Sequence, residues 1–182
     1  MARNGWGSVV VVGLIVGLLS GSVAEARELA GVRVPEQVTL DGRKLSLAHM
    51  KLEQKLFFKI YVWSLYMENM PRENSEAISM DCVKRLQMRF LRTVSRDQLV
   101  DAFREGLANN PALKRGALNQ DLEKLLGGLR EVPEGGELVL TYVPGNGLRV
   151  TSEGNTTVHI PGKSFADALF VSWLSANPIP AH

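Results

Sequence analysis

The sequence predicts an α+β domain in which a large antiparallel sheet is covered by a layer of helices, and three observations carry that expectation. Three segments near the C-terminus, Glu137–Val143, Leu148–Ser152 and Thr156–Ile160, read as strands joined by Pro144-Gly145-Asn146-Gly147 and Glu153-Gly154-Asn155. Strands joined by turns that tight run antiparallel. Leu56–Met67 is dense in aromatic and β-branched residues, with bulky groups on both alternating faces. That pattern belongs to a long central strand covered on both sides. The helical periodicities are grouped, without the regular strand–helix alternation or Gly-rich loop of a nucleotide-binding sheet.

The elements follow in order. Arg3, the apolar run Val9–Leu19 and the small-residue site Ala24-Glu25-Ala26 have the layout of a cleavable export signal. As a helix that run would rise about 16 Å, roughly half the hydrocarbon thickness of a membrane. The expected division is therefore a signal peptide at 1–26 and one domain at 27–182, periplasmic or secreted, with no stable membrane anchor after cleavage. Val38–Leu40 and Lys44–Leu47 flank Asp41-Gly42, a short-hairpin signal. In the strand after the aromatic segment, Leu86, Met88 and Phe90 alternate with Arg85, Gln87 and Arg89. Ser95 with Gln98 opens a helix as a capping box, and Leu99, Phe103 and Leu107 give it one inward face. A second helix carries Leu122, Leu125, Leu126 and Leu129 and is interrupted or ended around Gly127-Gly128. The last helix starts at Ser164 and turns Ala166, Leu169, Phe170 and Trp173 inward, with Asn177-Pro178 as its stop.

Composition excludes several functions. A net charge of +2 gives no field suited to nucleic acid or to an acidic membrane as the main partner. Cys82 is the only cysteine, so no internal disulfide staples the fold, and it reads as a small buried strand residue. His49, His159 and His182 lack metal-ligand spacing, and Ser172 and Ser175 lack a nucleophile elbow, so no metal site or hydrolase triad is expected.

Four stretches in order resemble the chalcone isomerase-like family, especially its bacterial members. They are Phe57–Val62 continuing through Ser64-Leu65-Tyr66, then Phe90-Leu91-Arg92 with Val94-Ser95 and Leu99–Gly106. Pro133–Gly136 runs into Leu138–Tyr142, and Ile160-Pro161-Gly162 precedes Phe165–Phe170 and Trp173-Leu174. The likeness spans roughly Gly31 to Pro180. It implies an open-faced β-sandwich, with a ligand cleft between a large antiparallel sheet and its helical layer. The catalytic members are intramolecular lyases that cyclise chalcones, with an arginine that holds a phenolate and hydroxyl or amide groups that support an enolate, without metal or cofactor.

Matched residue by residue, this chain lacks that set. Glu53 or, with longer spacing, His49 stands at the arginine position; Ser95 and Ala102 stand at the helix tyrosine and asparagine. Tyr61 and Ser172 are the remaining catalytic candidates, at the strand threonine and the C-terminal-helix threonine. Tyr61 is either a core tyrosine or a polar handle at the cleft, and Lys59 either pairs with an acidic head group or reaches solvent. Arg85, Arg89 and Arg92 form a basic stripe that is either solvated or an anchor for an acidic group. The leading expectation is a non-catalytic binder of a small apolar or fatty-acid-like molecule, against a wall of Phe57, Phe58, Tyr61, Trp63, Met88, Phe90 and Phe103. An isomerase acting on a conjugated ketone and a structural or partner-binding periplasmic protein are the alternatives, as is a filled core with no cavity.

Overall fold

A computed structural model describes residues 25–176. The signal-peptide reading of residues 1–24 and the stop at Asn177-Pro178 lie outside the described residues. The chain opens with a small hairpin, β1 (Ala26–Leu29) and β2 (Val32–Pro35), turned at Ala30-Gly31. Seven strands then form one antiparallel meander in sequence order: β3 (Gln37–Leu40), β4 (Arg43–Lys55), β5 (Phe58–Met67), β6 (Lys84–Phe90), β7 (Glu137–Val143), β8 (Gly147–Ser152) and β9 (Asn155–Ile160). Helix α1 (Asn74–Ser79) links β5 to β6; α2 (Arg96–Leu107), α3 (Pro111–Lys114) and α4 (Asn119–Gly128) link β6 to β7; α5 (Ser164–Ala176) closes the described chain.

The period-2 alternation of the strands makes two cores. On the helical face Trp63, Leu65 and Met67 of β5 join Leu86, Met88 and Phe90 of β6, and the inward residues of α2, α4 and α5 cover them. On the outer face Val62 and Tyr66 of β5 join Leu45 and Leu47 of β4, and Val34 of β2 packs with them. The Tyr66 hydroxyl donates to the Pro35 carbonyl at 2.8 Å, which ties the small hairpin to the sheet. Strand β5 is thus covered on both faces from Val62 to Met67, as its composition predicts.

Local chemistry accounts for the helix ends. In α2 the Ser95 hydroxyl accepts from the Gln98 amide and the Gln98 side chain accepts from the Ser95 amide, so the capping box forms as read. Leu99, Phe103 and Leu107 are the buried residues of that helix. Pro111 opens α3, where the Asn110 side chain accepts from the Ala112 amide. Helix α4 ends against β9, and a Cβ on Gly128 would lie 1.7 Å from Val158 Cγ2. Glycine at this position is what lets the helix end approach the sheet so closely.

The structure corrects the sequence in three places. The aromatic strand starts at Phe58 and not at Leu56, because Leu56 and Phe57 form the turn of a β4–β5 hairpin. Strand β4 runs on to Lys55, well past Leu47, through an irregular step between Leu47 and His49. The short elements β1, β2, α1 and α3 add to those expected, and Cys82 is buried in a bend just before β6.

The Gly128 contact predicts a specific cost. Gly128→Ala should lower unfolding free energy by roughly 1–3 kcal/mol, the usual range for overpacking. The double variant Gly128→Ala/Val158→Ala should recover part of that loss in a urea titration, since it removes the atom the new methyl meets. Independent, additive losses would contradict the contact.

Candidate functional site

The register of β4 against β5 decides which side chains meet. His49 pairs with Leu65, Lys51 with Trp63 and Glu53 with Tyr61, so His49, Lys51 and Glu53 share the helical face of the sheet with Trp63 and Tyr61. Tyr61 in turn pairs with Phe90, and Trp63 with Met88. Among the described residues, β4 beyond its first four residues pairs only with β5, so the distal half of β4 is a sheet edge carrying Lys51 and Lys55. A ledge results, apolar and buried at β6, polar and half-open at β4.

Three aromatic contacts build its floor. The rings of His49 and Trp63 meet edge-on at 5.1 Å, Trp63 and Trp173 of α5 meet edge-on at 6.0 Å, and Tyr61 leans on Phe90 at 5.2 Å. Trp63 has no exposed surface, and its indole N–H has no hydrogen-bond acceptor among the described residues. Leaving such a donor unmade costs about 1–3 kcal/mol, and native cores rarely tolerate it without cause. Burial, reinforced by the Glu53 carboxylate across the strand pair, pushes the Tyr61 phenol far above its ordinary range. At neutral pH Tyr61 is a neutral hydrogen-bond donor and not a phenolate. Burial, with Lys51 nearby, pulls the His49 imidazole below its usual range.

The predicted site residues separate into three groups. Tyr61, Trp63, Met88 and Phe90 are brought together, and Phe103 lies buried in the same core cluster. Lys59 is exposed, as its solvent reading has it. Phe57 is 97% exposed and Phe58 57% exposed, so neither belongs to an interior wall. The sequence placed them there because a strand from Leu56 would have continued the alternation, whereas the turn throws Phe57 outward and Phe58 opens β5 at its exposed end. Ser172 accepts a hydrogen bond from Asn110 Nδ2 at 2.9 Å, and the same amide donates to the Ala168 carbonyl at 2.8 Å. That network joins α5 to the cap of α3, so Ser172 serves helix packing. Ser95 is a helix cap and Ala102 is exposed on α2. Trp173 and His49 complete the floor: the helical period already turns Trp173 inward, and the β4–β5 register brings His49 to the Trp63 ring.

All four arginines of the large sheet point away from the helices. Arg43, Arg85, Arg89 and Arg149 alternate with residues of the helical-face core or share the side of Leu45. Glu137 pairs with Arg89 at 3.1 Å and Glu68 with Arg43 at 3.3 Å. Between sheet and helices the protein's own side chains fill the space: Trp63, Leu65, Met88, Phe90, Leu125, Phe165 and Phe170 each keep 2% exposure or less. The expected open cleft is therefore closed by core packing. Two hollows lie on the other face. One of about 230 Å³ is lined by Thr141, Val143, Asn146, Gly147, Arg149 and His159; the other, about 30 Å³, lies where β2 crosses β5 and β6.

A second polar group sits at the opposite end of β6. The fully buried Lys84 donates to the Ile78 carbonyl at 2.7 Å and lies 5.4 Å from the Phe170 ring centroid; burial lowers its pKa. Tyr142 donates to Asp81 at 2.6 Å. Lys84 fastens α1 to the sheet beneath α5. Among the described residues no His, Cys, Asp and Glu group is arranged to hold a metal.

With this geometry in view, the comparisons decide the family. The sequence profile described as chalcone isomerase-like matches residues 26–182. The chain belongs to the chalcone isomerase-like family. The crystal structure of an Arabidopsis thaliana fatty-acid binding protein superposes on it with a TM-score of 0.66, at 17% identity, over 84% of this chain and 88% of that one. At that identity the likeness establishes the fold alone, the chalcone isomerase-like α+β fold that the resemblance of the four stretches implied. A search of curated protein sequences finds no significant match.

The His49 environment predicts a pH signature. Its folded pKa lies below the ordinary value of 6.5, so the unfolded chain takes up a proton that the folded chain resists. Stability should fall as pH drops below about 6.5 and level off once the folded-state imidazole is protonated. In His49→Gln that segment of the stability–pH curve should flatten. A curve unchanged by the substitution would show that His49 is solvated and not part of the floor.

Proposed function

We propose that this member of the chalcone isomerase-like family is an exported, non-catalytic binder of an apolar molecule carrying a hydrogen-bond-accepting head, such as a fatty acid. The observation that carries the reading is the buried, unpartnered indole N–H of Trp63. A carboxyl or carbonyl oxygen beside Trp63 would satisfy that donor, with neutral Tyr61 as a second donor and the Lys51 and Lys59 edge at the rim. Because the interior is filled, the ligand's tail enters by displacing the half-buried Trp173 from its contact with Trp63, a minor conformation made dominant by binding. The fatty-acid binding of the Arabidopsis thaliana relative lends support through shared fold alone.

Catalysis of the chalcone type is the less favoured reading. Glu53 stands beside Tyr61 on the helical face, where a phenolate substrate would meet a carboxylate and no sheet arginine. The purified protein should not accelerate chalcone cyclisation above buffer at neutral pH, and saturable turnover would reverse this reading. The filled interior favours a partner-binding protein as the second reading.

Export is proposed from the Val9–Leu19 run and the Ala24-Glu25-Ala26 site; cleavage after Ala26 would take the first residue of β1 and its pairing with Pro35 and leave the seven-stranded sheet whole. Mass spectrometry of the protein from its own cells should find Arg27 at the N-terminus. Organic extraction of the same folded sample should release a stoichiometric long-chain acid or related lipid. Trp63→Phe, which keeps the ring and removes the donor, should weaken rebinding by roughly 3- to 10-fold, the worth of one hydrogen bond. No extractable molecule together with no saturable rebinding would sink the ligand reading in favour of the partner-binding one.

A further inference from the structure

The β4–β5 hairpin ends in three consecutive large apolar residues, Leu56, Phe57 and Phe58, exposed by 84%, 97% and 57%. A solitary exposed apolar side chain needs no explanation, but three at the tip of one projecting turn do. Leu56 also holds a left-handed backbone, φ +57°, where glycine or asparagine would be cheaper. The turn thus keeps a leucine at a conformational cost. Exposed cations surround the apolar tip: Lys55 pairs with Phe58 in the ladder, Lys59 follows it, and the Arg92 guanidinium lies 5.0 Å from the Phe58 ring centroid. The hairpin's own acid, Glu53, is set back from the tip and half-buried.

We propose that this tip docks on an anionic lipid surface, Leu56 and Phe57 entering the headgroup boundary while Lys55, Lys59 and Arg92 meet lipid phosphates. The chemistry favours a bilayer over a folded partner. A two-residue projection offers little area to a protein interface, whereas a soft interface accepts a narrow apolar wedge and rewards a collar of cations. Aromatic residues beside cations suit the level of the headgroups. The net charge of +2 gives no such attraction by itself; the local collar does. Docking here would be reversible, and it would bring the ledge at Tyr61 and Trp63, on the same strand, toward the source of an apolar ligand. The inference stands whether or not that ledge binds one.

The test uses the full chain and vesicles of phosphatidylcholine with or without phosphatidylglycerol. An environment-sensitive fluorophore on Phe57→Cys reads the tip itself, since native Cys82 is buried. Its emission should brighten and shift blue with phosphatidylglycerol vesicles, less with pure phosphatidylcholine, and less at high salt. In vesicle sedimentation Phe57→Asp should lower partitioning by about tenfold or more, and Lys55→Glu/Lys59→Glu should remove the preference for anionic lipid. Phe57 is nearly free of contacts, so the variant should keep the circular dichroism of the parent. A label that stays water-like, or partitioning unchanged by Phe57→Asp, overturns the proposal. So does a dimer in sedimentation velocity that Phe57→Asp abolishes while vesicles bind nothing, which would make a second copy the occupant.

Discussion

The structure depends on β5 being buried on both faces. Trp63, Leu65 and Met67 hold the helical layer on one side, and Val62 and Tyr66 hold the small β1–β2 hairpin on the other. A strand sandwiched in this way is fixed in register, because a one-residue slip would exchange its two apolar sets. Register is then what builds the ledge, by setting His49, Lys51 and Glu53 beside Leu65, Trp63 and Tyr61. Burial also fades along this hairpin, from Met67 with no exposure through half-exposed Phe58 to Phe57 almost bare in the turn. Core, ledge and tip are three stretches of one β-hairpin.

The energetics of the ledge explain why a filled interior and a ligand are compatible. Most of the helical-face core pairs apolar surface with apolar surface and asks for nothing more. Trp63 differs, since its ring is satisfied by packing and its N–H is not. The same site lacks what chalcone chemistry uses. A carboxylate stands beside Tyr61, and burial keeps the Tyr61 phenol protonated. The arrangement can donate hydrogen bonds to an oxygen; it is poorly suited to stabilising a phenolate.

Much of the fold was legible because several signals were local and mutually consistent. The capping box and the Leu99, Phe103, Leu107 spacing specify α2 without reference to the rest of the chain. The alternation in Lys84–Phe90 and the turns of β7–β8–β9 likewise carry their own geometry. The misreadings arose where local chemistry was silent. Leu56-Phe57 turns a hairpin without glycine, proline or asparagine, so it read as strand and sent Phe57 to the wrong side. The distal part of β4 is rich in lysine, leucine, glutamate and glutamine, residues that favour helix, and only pairing with β5 makes it a strand. The β1–β2 hairpin is short and largely exposed, and it exists through packing on distant Tyr66 and Val62. For the site, the resemblance found Tyr61 and the helical period turns Trp173 inward, but the meeting of Trp173 and His49 on the Trp63 ring is long-range packing that no local pattern encodes.

The central claim is that the Trp63 indole is a donor awaiting an acceptor, and two-dimensional ¹H–¹⁵N spectroscopy of the indole groups tests it most directly. On titration with a long-chain fatty acid, the account predicts that the Trp63 indole proton moves downfield and exchanges more slowly, while the Trp173 resonance shifts as its ring is displaced. A Trp63 resonance that stays fixed while the acid binds elsewhere, or through a titration in which nothing binds, would contradict it.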